Sequence, residues 1–194
     1  MTLHVIVTVF KRTLPLAGLI NNFLRQTKSN WMMHIIHDGP ADDDLIELVN
    51  SFNDPRIEFN STPKVNGLWG FPNRNSELKK IPLNHNDFVL ITNDDNMYVP
   101  TFVEYFLREC KDGVGFVYCN TIHNYMKYDI LVSEVRQDFI DMGSFIVKLD
   151  VAKRVGFKQI FEQADGAYAV ACANYCRIKK MNVVKINKCL YIHN

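Results

Sequence analysis

The absences in this sequence narrow its function before any motif does. No apolar run approaches the roughly 20 residues that a membrane-crossing helix needs. The first apolar run, Leu3 to Phe10, is broken by His4 and Thr8. It has no cationic lead and no small-residue cleavage site, so it reads as a first β-strand and not as a secretion signal. An excess of one charge is also missing: 22 Lys and Arg stand against 21 Asp and Glu, a formal net charge of +1, with no basic tail or basic helix. That excludes the electrostatic footprint of a nucleic-acid binder or of a protein held on an anionic membrane. Cysteines are few and odd in number, five in all and mostly inside apolar runs, which argues against a disulfide framework and for reduced core thiols in a cytosolic compartment. Cys172 and Cys176 lie one helical turn apart, but no second Cys or His pair stands near them, so core packing explains them better than a metal. Internal repeats, low-complexity tracts and linkers are absent too, and the expectation is one domain over residues 1–194.

What is present fits an ordinary globular protein: 194 residues, 47% hydrophobic and 22% charged, enough to bury a sizeable core. Strand and helix patterns alternate from the start. Val5 to Phe10 is strand-like, and Leu16, Leu19, Ile20, Phe23 and Leu24 follow at helical spacing behind Thr13 and Pro15. Trp31 to His37 is a second strand ending in Asp38-Gly39-Pro40, and Asp42, Asp43 and Asp44 open a helix whose dipole they complement. Ile57 to Asn60 predicts a third strand, then a loop at Gly67-Leu-Trp-Gly70 and a helix from Asn73 to Lys80. A strand at Phe88 and a helix from Thr101 to Cys110 complete the series. This βαβα order predicts a mostly parallel, doubly wound central sheet with helices on both faces, an α/β fold. Beyond it, Val114 to Cys119 and Ser144 to Lys148 predict strands, Val151 to Val155 a short helix closed by Gly156, Gly166 to Arg177 a longer helix, and Val183 to Ile192 one or two last strands. Residues 120–140 are polar, aromatic and weakly periodic.

The most informative stretch is Phe88-Val-Leu-Ile-Thr-Asn-Asp-Asp-Asn-Met-Tyr-Val-Pro100. Four apolar residues in a row indicate a strand buried on both faces. Asp94 and Asp95 then fall at its carboxyl end, where open α/β sheets bind ligands. Adjacent acids repel unless a cation is shared, which points to a divalent metal. A turn capping the helix at Pro100 is the competing reading.

Val5-Ile-Val-Thr-Val-Phe-Lys-Arg12, the Asp38-Gly39 strand end, Asn93-Asp-Asp-Asn96 with Tyr98-Val-Pro100, Asp141-Met-Gly-Ser144 and Phe161-Glu-Gln-Ala-Asp-Gly166 occur in an order that resembles GT-A-fold glycosyltransferases similar to family 2. The likeness spans nearly the whole chain. It is nearest to the short forms carried by bacteria and by large DNA viruses, chlorella viruses among them. The resemblance implies a single Rossmann-like GT-A domain with a nucleotide-sugar-binding half over 1–100 and an acceptor-binding half over 101–194. It also implies a nucleotide-sugar donor, most simply a UDP-sugar, a glycan acceptor, a Mn²⁺ or Mg²⁺ ion, and inversion at the anomeric carbon. A viral origin implies capsid-glycan synthesis in the host cytoplasm, and the end of the chain at Asn194, just after a strand, suggests fusion to further domains.

Residue by residue, the resemblance makes Asp95 a metal ligand, with Asn93 where the family's motif has its first acid and Asp94 sharing the work. His193 in the last strand is implied as a second ligand, although a histidine there can equally be solvent-exposed; His4, His34, His37, His85 and His123 have no comparable context. Asp38 is placed to face the base of the nucleotide, unless it only makes an Asp-Gly-Pro turn. Thr8, Phe10 and Arg12 are expected to line the same pocket, Arg12 toward phosphate, with Phe10 alternatively in the core. Arg74, in Asn73-Arg74-Asn75 at a helix start, is expected on the diphosphate. Trp69 stacks on a sugar or packs over a core edge. Asp165 is the expected catalytic base, against the reading that it caps the following helix, and Glu162 is a weaker candidate. Asp141, Gly143 and Ser144 are expected at the acceptor. Two other classes compete: a non-catalytic nucleotide or glycan-binding module, and a sugar-phosphate nucleotidyltransferase. The latter fits poorly because Lys11-Arg12-Thr13-Leu14 holds no glycine where that class needs a Gly-rich loop.

Overall fold

A computed structural model describes residues 1–158 and 164–194. The chain runs β1 (Leu3–Val9), α1 (Thr13–Leu24), β2 (Trp31–His37), α2 (Asp43–Ser51), β3 (Ile57–Ser61), α3 (Phe71–Lys80), β4 (Phe88–Asn93), β5 (Met97–Tyr98), α4 (Phe102–Glu109), β6 (Val114–His123), β7 (Asp129–Leu131), β8 (Phe145–Lys148), α5 (Leu149–Val155), α6 (Ala164–Ile178) and β9 (Asn182–His193). Three short 3₁₀ turns, Leu68–Gly70, Asn124–Met126 and Met142–Ser144, join them.

The strands form one sheet in the order β3-β2-β1-β4-β8-β6-β9-β5, with β7 on the side of β6. Strands β3, β2, β1 and β4 are parallel, as the alternation predicts. From there the sheet is mixed: β8 runs antiparallel to both β4 and β6, while β9 is parallel to β6. One geometric consequence matters for function. Since β8 reverses twice between its neighbours, β1, β2, β4, β6 and β9 all point the same way and deliver their carboxyl ends to one edge of the sheet.

Alternation along each strand separates two cores. Leu3, Val5, Val7 and Val9 of β1, with Phe88 and Leu90 of β4, pack under α1, α2 and α4. Ile6, Val89 and Ile91 face the opposite side, under α3, α5 and α6. Helices therefore cover both faces, as expected. In α1 the buried set is Leu16, Leu19, Ile20 and Phe23, one stripe of the helix. Helix α2 is capped by Asp42, which accepts the Leu45 N–H at 2.9 Å. All five cysteines are free, and burial pushes the Cys119 thiol up to about 12 and the Cys176 thiol up to about 11, so they are protonated packing groups. Among the described residues no helix is long and apolar enough to cross a membrane.

Candidate active site

The carboxyl edge of the sheet opens into a cleft of about 590 Å³. Thr8, Phe10, Arg12, Asp38, Arg74, Asn93, Asp94, Asp95, Asp165 and His193, ten of the residues expected at a site, all line it. Residues as far apart as Thr8 and His193 meet because the five co-directional strands end together.

Asp38 follows β2 and is buried. Its Oδ1 accepts the Asn66 N–H and the Asn73 amide, and its Oδ2 accepts the Gly67 N–H, all at 2.9 Å. Burial favours the neutral acid, but these three donors outweigh it and hold the carboxyl below its ordinary value. A carboxylate has about four acceptor positions, so one is left on Oδ2 for a ligand. Asp38 is thus first an anchor for the 66–67 loop. Past that anchor, Gly67, Leu68, Trp69 and Gly70 all have positive φ, at 66°, 54°, 51° and 77°. Two of them are bulky residues in a conformation that disfavours a Cβ. The turn holds Trp69 63% exposed at the cleft, so it does not pack over a core edge. Gly70 is needed for a close approach: a Cβ there would meet Thr8 Oγ1 at 2.9 Å, and this contact seats the start of α3 on the end of β1.

Of the Asn73-Arg74-Asn75 segment, Arg74 alone presents its functional group to the cleft. Asn73 is spent on Asp38, and Asn75 ties the backbone N–H and C=O of Phe157 at 2.9 and 2.8 Å. Arg74 is buried, donates to Asn93 Oδ1, and stands 3.8 Å from Asp165 Oδ1. Phe10, 47% exposed, is not core; its ring stacks on His37 with centroids 6.2 Å apart and leaves a face to solvent.

At the acidic corner Asp94 is buried and its Oδ2 has no partner. Burial first, and the neighbouring Asp95 second, push this carboxyl up to about 7. Arg12 makes a direct ion pair with Asp95 and lies 3.6 Å from Asp94 Oδ1. Arg12, expected toward phosphate, lines the cleft and neutralises the acids. Its side chain is 54% exposed, and such a pair is worth about 0–1 kcal/mol, so a doubly charged cation can displace it. The oxygen-rich corner fits Mn²⁺ or Mg²⁺ on that ground.

His193 is not grouped with Asp95. Its Nε2 lies 3.4 Å from Asp141 Oδ2, and the His123 Nε2 lies 3.8 Å from the same oxygen. Among the described residues, the three His, Cys, Asp or Glu side chains that converge within 4.8 Å are His123, Asp141 and His193. His123, set aside on sequence, is brought to Asp141 and His193 by the fold. Burial first, then the nearby His193, lower its pKa against the opposing pull of Asp141.

Gly143 and Ser144, expected at the acceptor, do not line the cleft. Both are buried: Ser144 Oγ donates to the Asp141 carbonyl at 2.7 Å, and a Cβ on Gly143 would meet the Tyr191 ring at 2.4 Å. They set the 3₁₀ turn that aims Asp141. Asp165 opens α6 and its Oδ1 is buried without a hydrogen bond. Burial pushes its carboxyl up to about 6; Arg74 opposes the rise, Asp141 adds to it and His193 reduces it. Glu162 lies outside the described residues. His4 and His34 are buried together, with Nδ1 to Nε2 at 3.0 Å, and do not line the cleft.

The sequence matches the family described as glycosyl transferase family 2 over residues 4–161. A comparison with curated protein sequences returned no match. Among solved structures, the chain resembles residues 1–349 of S. aureus TarS with a TM-score of 0.75 and 14% identity, covering 100% of this chain and 60% of that one. The same TarS fragment in complex with UDP-GlcNAc gives a TM-score of 0.74 at 15% identity, covering 100% of this chain and 58% of that one. The mannosyltransferase PcManGT from Pyrobaculum calidifontis, in complex with GDP-Man and Mn²⁺, gives a TM-score of 0.71 at 13% identity, covering 98% and 56%. The chain therefore spans about 60% of the TarS fragment it matches. At these identities the likeness establishes the GT-A fold.

Proposed function

Since the chain belongs to glycosyl transferase family 2, we propose that it transfers a sugar from a UDP-sugar to a hydroxyl of a glycan acceptor, with inversion and with help from a divalent cation. The observation that carries this reading is the pairing, in one cleft, of two carboxyls that each keep a buried, unpartnered oxygen, Asp94 Oδ2 and Asp165 Oδ1. Arg74 lies close enough to both to moderate their charge. An unpartnered buried oxygen costs stability, and a substrate complex is what would use it.

In this reading the exposed face of Phe10 supports the uracil, and the last acceptor position of Asp38 takes the imide N–H. Asp94 and Asp95 would hold Mn²⁺ or Mg²⁺, which when bound would offset the negative charge gathering on the diphosphate. Arg12, half-exposed at the same corner, would supply positive charge to the phosphates. Arg74, inside the cleft wall, adds a fixed positive charge.

Asp165 removes the acceptor proton. The acceptor O–H bond breaks to its carboxylate, the hydroxyl oxygen forms a bond to the anomeric carbon, and the bond from that carbon to the phosphate oxygen breaks with its electron pair leaving on UDP. A base suits this task when its pKa lies near the working pH, and a carboxyl raised to about 6 is closer to that than an ordinary aspartate. The UDP-GlcNAc and UDP complexes of TarS support uracil as the nucleobase, and the GDP-Man and Mn²⁺ complex of PcManGT supports a cation.

Release of UDP from a panel of UDP-sugars, with Mn²⁺ and with EDTA, tests the proposal. Manganese-dependent turnover of one sugar is the expected result and names the donor. Tight UDP binding with no turnover on any acceptor would identify a binding module instead.

A further inference from the structure

The His123, Asp141 and His193 cluster has a polar architecture that the transfer reaction above does not use. The Asn124 amide orientation is fixed by the backbone, because Oδ1 accepts the Tyr125 N–H at 2.8 Å. That same oxygen lies 3.0 Å from His193 Nδ1. Nδ1 therefore carries a proton, and in the neutral imidazole, the form that binds a metal, the lone pair is on Nε2. What it faces, at 3.4 Å, is Asp141 Oδ2, another acceptor.

Asp141 is held just as firmly. Its Oδ1 accepts the Tyr191 hydroxyl at 2.6 Å and the Gly143 N–H at 3.0 Å, which leaves Oδ2 as the free oxygen. His123 stacks on His193 with ring centroids 4.3 Å apart and an interplanar angle of 11°, so its Nε2 arrives at the same oxygen. The His123 Nδ1 takes only the longer share, 3.2 Å, of the Tyr125 N–H, so its tautomer is not locked. Three acceptor-capable atoms converge with no donor fixed between them.

We propose that His123, Asp141 and His193 form a binding site for a zinc-class transition-metal ion, separate from the Asp94–Asp95 corner and occupied without nucleotide. Adjacent ligand atoms of a tetrahedral zinc site with bonds near 2.0–2.1 Å lie about 3.3 Å apart. The 3.4 and 3.8 Å separations here need little closure. Two imidazole nitrogens and one carboxylate oxygen favour Zn²⁺ over the hard ions Mg²⁺ and Ca²⁺. Asn124 and Tyr191 are the outer partners that orient such ligands. Of the three, His193 borders the cleft.

The test is calorimetric titration of tag-free full chain with ZnCl₂ in the absence of nucleotide. One Zn²⁺ per chain is expected. His123→Gln and His193→Gln should each weaken it at least about tenfold, and Asn124→Ala by roughly 10- to 100-fold, while Asp95→Asn leaves it unchanged. If the histidine variants do not fold, zinc-edge X-ray absorption of the wild-type chain decides, with two imidazole ligands expected. No stoichiometric zinc, fewer than two imidazoles, or binding lost in Asp95→Asn but kept in His123→Gln would overturn the inference. None of these outcomes touches the UDP-release assay, so the two proposals fail separately.

Discussion

Arg74 Nη1 stands 3.8 Å from Asp165 Oδ1, close enough to balance its charge and too far to consume its lone pair. Asp165→Asn keeps the size of this side chain in the first turn of α6 but cannot take a proton. Transfer should fall by roughly 10²- to 10⁴-fold, while UDP binding, measured by calorimetry, stays near wild type. Wild-type turnover by this variant would remove Asp165 from the mechanism.

A base whose carboxyl is raised to about 6 gives the rate a defined acid limb. The direction is fixed by which form works: ionised Asp165 accepts the proton, so activity rises with pH through the raised value and is lost below it. Each pH unit below 6 should cost about tenfold in kcat/KM for the donor. Arg74 favours the ionised form, so Arg74→Met should move the limb to higher pH. A limb near 4, or one that Arg74→Met leaves in place, would show that another group sets the profile.

Asp38 carries a prediction about stability. Its three donors, two backbone N–H groups and the Asn73 amide, lose their acceptor in Asp38→Ala. Leaving buried donors unpaired costs about 1–3 kcal/mol each, and because the loop can relax toward water a total loss of about 2–4 kcal/mol is expected. Thermal unfolding measures it, and UDP affinity should fall with it because the same loop carries Trp69. The sign with pH follows from a lowered carboxyl: the stabilisation is present above the ordinary aspartate value and is lost as pH falls through the lowered one.

The legible parts of this molecule were those written locally. Buried strand, acidic exit and amphipathic helix follow one another within about 25 residues in the β2 and β4 units, and that is enough to place Asp38, Asn93, Asp94 and Asp95 at the ligand edge. His123 was invisible for the opposite reason. The strand reading stopped at Cys119, whereas β6 runs to His123, and its pairing with His193 is a parallel register set by a crossover through β8 and α6. No local period encodes such a register. The two-residue strand β5 is legible only through its partner, β9, in the same way. The burial of Gly143 and Ser144 was illegible for another reason: it is a property of packing against Tyr191 and Tyr98, which one segment cannot show.

That packing gives the last prediction. A Cβ at residue 143 would lie 2.4 Å from the Tyr191 ring and 2.7 Å from the Tyr98 hydroxyl, both on fully buried or nearly buried rings. Gly143→Ala therefore forces Tyr191 to move, and overpacking of this kind costs about 1–3 kcal/mol. Tyr191 donates to Asp141 Oδ1, so its movement loosens the carboxylate that His123 and His193 face. The variant should unfold at lower temperature and also bind zinc more weakly. Tyr191→Phe separates the two effects, because it keeps the ring and removes the hydroxyl: stability should change less than in Gly143→Ala while zinc affinity still falls. If Tyr191→Phe left zinc affinity at the wild-type level, the hydroxyl would have no part in aiming Asp141.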